Sequence, residues 1–157
     1  MDTAPTRIGF LGLGAMGRGM TARLVDQGYA VLAWNRSAEP AEQLAAEHAA
    51  VTRADSVAAA FAGASVVHSM LTDDAVVLAV FSDELLAGIP AGRVHVNHAT
   101  ISPAAAAELA ERHARHGVGY VSAPVLGRST VAHTGALLVV ASGDPDAIAI
   151  ATPTMEA

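Results

Sequence analysis

Three glycines, Gly12, Gly14 and Gly17, follow an apolar run and open a helical one in the stretch "RIGFLGLGAMGRGM". At such a junction the spacing Gly-x-Gly-x-x-Gly has a physical use. The first glycine permits a tight turn, the second lets a diphosphate reach the backbone, and the third lets helix and strand pack closely. Free amides and the helix dipole attract the diphosphate there. Gly12, Leu13, Gly14, Ala15, Met16 and Gly17 are therefore the candidate seat of a dinucleotide. A plain strand-to-helix turn would carry the same glycines, so context has to decide.

About twenty residues after the fingerprint, an NAD site would carry an acid for the ribose hydroxyls. Here the run "YAVLAWNRS" ends in Asn35, Arg36 and Ser37. An acid would repel a 2′-phosphate, whereas a guanidinium forms charge-assisted, bidentate bonds to it, each worth about 1.5–3 kcal/mol. These residues predict NADP (NADPH) over NAD. The competing reading makes Arg36 a solvated residue at a strand end.

The elements that must position these residues follow from periodicity. Short apolar runs near 7–12, 30–35, 49–52, 65–70, 93–97, 118–122 and 136–141 read as strands. Alanine-rich stretches near 15–27, 38–48, 54–62, 74–86, 103–116 and 145–151 repeat apolar residues at three and four positions and read as helices. Gly28, Pro40 and Ser102-Pro103 punctuate them. The repeated strand–helix–strand order predicts an α/β fold, a doubly wound, mostly parallel sheet of Rossmann type with helices on both faces. Thr152-Pro153 reads as the cap and first turn of one more helix, unfinished at Ala157.

At 157 residues the chain has the length of one domain. Its 52% hydrophobic and 15% charged residues mark a packed core rather than disorder. A net charge of -6 speaks against nucleic acid as a partner. The lack of cysteine fits a reducing cytoplasm, and "MDTAPTR" lacks the features of a signal peptide. No apolar run reaches the roughly 18 residues of a membrane span.

With "GFLGLGAMGRGM" and "AWNRS" in place, the chain resembles the β-hydroxyacid dehydrogenase family, which includes 3-hydroxyisobutyrate dehydrogenases, tartronate semialdehyde and glyoxylate reductases and the 6-phosphogluconate dehydrogenases. The resemblance runs over essentially the whole chain and implies an NADP-binding domain over 1–157. The family's Met-Leu-Pro-Asp run along the cofactor matches Met70, Leu71, Thr72 and Asp73, with threonine for proline. Its Asp-x-Ser-Thr signature matches "NHATISP", which makes Thr100 the residue near nicotinamide and substrate, while Asn97 and Ala99 depart from the pattern. Its carboxylate-gripping loop matches "SAPVLGRSTVAHTGAL", with Leu126 for serine, Gly127 kept and Arg128 for the second glycine. Arg128 then pairs with an anionic substrate group or with solvent alone.

The resemblance also implies hydride transfer to or from a small hydroxy acid, aldehyde or related carbonyl or imine. The family's acid/base is a lysine at the start of an all-helical second domain, which also makes a homodimer. All nine basic residues here are arginine, so no catalytic residue is expected within 1–157, and the helical domain is expected to be absent from this chain. His98 lies at a strand end but has no evident partner; His113 and His116, at helical spacing, are expected to face solvent, with no third ligand for a metal. Tyr29 and Tyr120 lack a lysine four residues on, and no Gly-x-Ser-x-Gly, HExxH or P-loop occurs. Two alternatives stay open: a stand-alone NADP-binding or sensing module, and a dimer that builds its site from both copies with His98 or Arg128.

Overall fold

The computed structural model describes residues 5–157. Its centre is a seven-stranded sheet ordered β3-β2-β1-β4-β5-β6-β9. The strands are β1 (Arg7–Leu11), β2 (Ala30–Trp34), β3 (Val51–Arg53), β4 (Val66–Ser69), β5 (Val94–Asn97), β6 (Gly119–Ser122) and β9 (Ser142–Gly143). All neighbours pair in parallel except β9, which runs antiparallel to β6. The Rossmann-type expectation is met. β4 and β5 are buried on both faces, so their polar members His68, Ser69, His95 and Asn97 are as inaccessible as the valines beside them.

One face carries α3 (Val57–Gly63), α4 (Asp74–Val80), α5 (Asp83–Ala87) and α6 (Pro103–Arg115), packed around Leu11, Phe61, Val67, Phe81 and Leu109. The other carries α1 (Ala15–Asp26), α2 (Glu39–Glu47) and α7 (Pro145–Met155), over Ile8, Phe10, Leu24 and Leu44 near α1 and α2 and over Val96, Val121 and Ala151 near α7. Among the described residues no helix is long and apolar enough to cross a membrane.

Three expectations need correction. The helix expected over 74–86 is two helices, because Ser82 accepts the Leu85 amide and caps α5. The strand expected over 136–141 is β8 (Leu138–Val139), which pairs antiparallel with β7 (Val125–Leu126) as a separate hairpin, and only β9 beyond it joins the main sheet. Thr152-Pro153 starts no new helix. Both residues lie inside α7, where the Thr152 hydroxyl donates to the Ile148 carbonyl and Pro153 falls in the last turn, costing few helix bonds.

Candidate functional site

In a parallel sheet the carboxyl ends of the strands share one edge, where ligands of open α/β folds bind. The ends of β1, β2, β4 and β5 place the glycine turn, Asn35 to Ser37, Met70 to Thr72 and Thr100 along that edge, while Leu126, Gly127 and Arg128 lie beyond β6 on the separate β7–β8 hairpin.

The three glycines have three different reasons to be there. Gly12 has φ 88°, and a Cβ on it would stand 2.3 Å from the Met70 carbonyl oxygen. A Cβ on Gly17 would stand 1.9 Å from the Gly12 oxygen, so this glycine lets α1 close on the turn. Gly14 has nothing within 4 Å; it lacks a side chain although no protein atom requires it. That free space, at the N-terminus of a helix whose cap provides no side-chain bond, fits a diphosphate. Ala15 and Met16 follow with the first helical amides. Leu13 plays a different part: its side chain is buried, and its amide donates to Asn35 Oδ1 at 2.9 Å.

That bond ties the glycine turn to the end of β2. Asn35 Nδ2 in turn donates to the Ser37 hydroxyl at 3.2 Å and holds the bend. Arg36 stands exposed beside a small hollow of about 90 Å3. Among the described residues no carboxylate pairs with it.

At the end of β4, Met70 donates its amide to Leu11 while Leu71 is half-buried and Thr72 exposed. Asp73 is occupied as the cap of α4, accepting from the Val76 amide. Past β5, Thr100 is exposed. Asn97 and Ala99, the two departures from the family pattern, are buried. Asn97 Oδ1 accepts the Ala99 amide and its Nδ2 donates to the Tyr120 hydroxyl, so both changes lie in the core.

The β7–β8 hairpin carries the remaining candidates. Leu126 and Leu138 pair across it and are 58% and 60% exposed. Gly127 has φ 146°, and a Cβ there would stand 2.6 Å from Leu137. Arg128 is exposed and caps a 3-10 helix at Ser129–Thr134, which lies so close to α1 that a Cβ on Gly19 would be 2.7 Å from that of Ala132. Among the candidates, Thr72 and Thr100 carry hydroxyls and Arg128 a guanidinium, none of them an acid or base near neutral pH.

Sequence reasoning missed two buried histidine pairs, and it placed His113 wrongly: that residue is buried, on the α6 stripe with Ala105 and Leu109. Its Nδ1–H donates to the Leu109 carbonyl at 2.7 Å, leaving Nε2 to accept from His95 Nδ1 at 2.9 Å. His95 Nε2 then accepts from the Ser69 hydroxyl at 2.8 Å. On the other face, His98 Nδ1–H donates to the Ala123 carbonyl, His68 Nδ1–H donates to His98 Nε2, and the Thr154 hydroxyl donates to His68 Nε2, all at 2.8–2.9 Å. These assignments leave every ring neutral and every ring nitrogen bonded, with the one Thr154 hydroxyl proton turned to His68 although the Ala151 carbonyl also lies 2.8 Å from that oxygen. Burial holds the His98 and His113 pKa values down at about 4 and depresses those of His68 and His95 well below the usual value, with the neighbouring ring adding to the effect in the latter two. His98 thus has the partner that its sequence position did not reveal. Its face opens on a cavity of about 310 Å3 also lined by Arg23, His68 and Thr154. His116 pairs with Asp83 on the surface, and no group of three or more potential metal ligands occurs among the described residues.

Comparison with known proteins agrees with this arrangement. An uncharacterized oxidoreductase of Bacillus subtilis is 34% identical over 152 residues, which is 96% of this chain and 52% of that protein. Mycobacterium tuberculosis 3-hydroxyisobutyrate dehydrogenase, solved with L-serine, superposes with a TM-score of 0.88 at 32% identity, over 97% of this chain and 51% of its own. Psf3 in complex with NADP+ and 2-OPP gives a TM-score of 0.88 at 30% identity, over 95% of this chain and 53% of its own. The chain spans about half the length of these relatives. The resemblance to the β-hydroxyacid dehydrogenases is borne out. Residues 7–157 match the family model described as the NAD binding domain of 6-phosphogluconate dehydrogenase, and the chain belongs to that family.

Proposed function

We propose that this chain is the NADP(H)-binding domain of an oxidoreductase that moves hydride between the nicotinamide and a small hydroxy acid, aldehyde or related carbonyl or imine. The observation that carries the cofactor choice is the end of β2, where Arg36 stands exposed and unpaired among the described residues, at the place of an acid. Gly14 leaves the diphosphate its space, and the helix terminus behind it favours negative charge. Met70, Leu71 and Thr72 line the path between the ends of β1 and β4, and Thr100 lies toward the substrate. Bound NADPH would supply the reducing equivalent. The chain's own residues seat it, and Thr100, Leu126, Gly127 and Arg128 face the substrate. In this reading the acid/base comes from a helical second domain, the full-length protein is a cytoplasmic homodimer, and its partner is a small molecule rather than nucleic acid.

The test titrates NADPH and NADH against the purified chain and then adds a panel of small aldehydes, ketones, 2-oxo acids and imines. Tighter NADPH binding, weakened selectively by Arg36→Ala, is the expected result. Equal affinities for the two cofactors would overturn the cofactor choice. Binding without turnover is expected of this domain alone, and robust reduction by it would overturn the assignment of the acid/base to another domain.

A further inference from the structure

The hollow beside Arg36 holds a second guanidinium. It is lined by Trp34, Asn35, Arg36, Arg53 and Asp55 among others. Arg53 ends β3, and the parallel register sets it opposite Ala33 on β2, so the sheet brings it to the Asn35-Arg36 bend from seventeen residues away in sequence. Its Nη2 donates to Asp55 Oδ1 at 2.9 Å, and its Nε lies 3.9 Å from Glu42 Oε1. The side chains of Arg53, Glu42 and Asp55 are 41%, 61% and 86% exposed. Pairs this exposed are weak, because water screens them and the long side chains lose freedom in forming them. A phosphate dianion offers three strong acceptors and more charge than Asp55.

Charge balance points the same way. Arg36 alone would present a phosphate with one positive group beside the carboxylates of Glu42 and Asp55, a net repulsion. Arg53 makes the four groups neutral, and more favourable still once its guanidinium turns from Asp55 to the phosphate.

We infer that Arg53 is a second reader of the NADP 2′-phosphate, acting with Arg36, and that Asp55 is its resting partner and gives it up when the phosphate arrives. The inference rests on the NADP reading above. It adds a specificity-determining residue that no local motif marks, supplied by the neighbouring strand.

The test is calorimetric titration with 2′,5′-ADP, which carries the phosphate, and with 5′-AMP, which does not. Arg53→Ala should weaken 2′,5′-ADP about tenfold, the loss of one charge-assisted bond, and leave 5′-AMP within about twofold. Arg53→Lys should recover part of the loss, and Asp55→Asn should tighten 2′,5′-ADP severalfold. If Arg36→Ala weakens 2′,5′-ADP and Arg53→Ala does not, the inference fails while the NADP reading stands. An equal loss of both nucleotides in Arg53→Ala also overturns it, by making the residue structural. A wild-type chain that binds both nucleotides equally overturns the NADP reading and this inference with it.

Discussion

The two faces of the sheet carry the same hydrogen-bonded chain in different surroundings. Each runs from a hydroxyl through two imidazoles to a backbone carbonyl, from Ser69 through His95 and His113 to Leu109 on one face, and from Thr154 through His68 and His98 to Ala123 on the other. The first is packed in aromatic rings, with Phe81 centred 3.8 Å from His95 and Tyr120 centred 4.9 Å from His113. The second borders the cavity beneath α1. A buried polar chain is tolerable when every member is satisfied. What differs is whether water can take a member's place when it is lost.

The largest expected effect is common to both faces. In the folded chain the rings are neutral, with pKa values held below the ordinary 6.5, so as pH falls the unfolded chain takes up protons first. Stability is full above about pH 6.5 and is lost as pH falls from there toward about 4. His98 and His113 should cost about 2 kcal/mol each between pH 7 and pH 5. His68 and His95 act in the same direction. Urea unfolding over this range measures the loss, and a flat profile would break the description of four neutral buried rings.

Next in size, His113→Ala should cost about 3–4 kcal/mol, since it leaves a void among aromatic rings and strands the His95 Nδ1–H without a partner, while the Leu109 carbonyl keeps its helix bond from the backbone amide of residue 113. His98→Ala should cost less, about 1–2 kcal/mol, because water entering from the cavity can bond the exposed groups. Equal losses in denaturant melts of these two variants would erase the distinction between the faces. The smallest effect is expected from the hydroxyl ends, where Ser69→Ala should cost about 1–2 kcal/mol and Thr154→Val about 1 kcal/mol or less. The reverse order would mean that the cavity does not admit water.

The parts of the molecule that were legible in the sequence are those written locally. The glycine turn, the Asn35-Arg36 bend and the Ser102-Pro103 start of α6 each depend on neighbours within one turn or one strand. Ser82, followed by Asp83 and Glu84, was a readable cap within what looked like one helix. The burial of His113 was also readable, since it repeats Ala105 and Leu109 at intervals of four. The histidine pairs were not legible, because their members lie 18 and 30 residues apart and meet only through strand register and helix packing. Nor was the β7–β8 hairpin, whose two-residue strands are too short to impose an alternation. Arg53 escaped notice for the same reason as the histidines: β3 brings it to β2 across the sheet.

Gly12 rests so closely on the Met70 carbonyl that the turn after β1 and the connection after β4 form one interlocked piece. The small β7–β8 hairpin, by contrast, carries exposed side chains, among them Leu126, Arg128 and Leu138. Packing leaves room for other side chains in the second place and none in the first. Under the proposed function, a lineage built on this scaffold can therefore change what it acts on while inheriting its dinucleotide seat nearly intact, and a protein engineer altering selectivity would begin at the hairpin and leave the glycine turn alone.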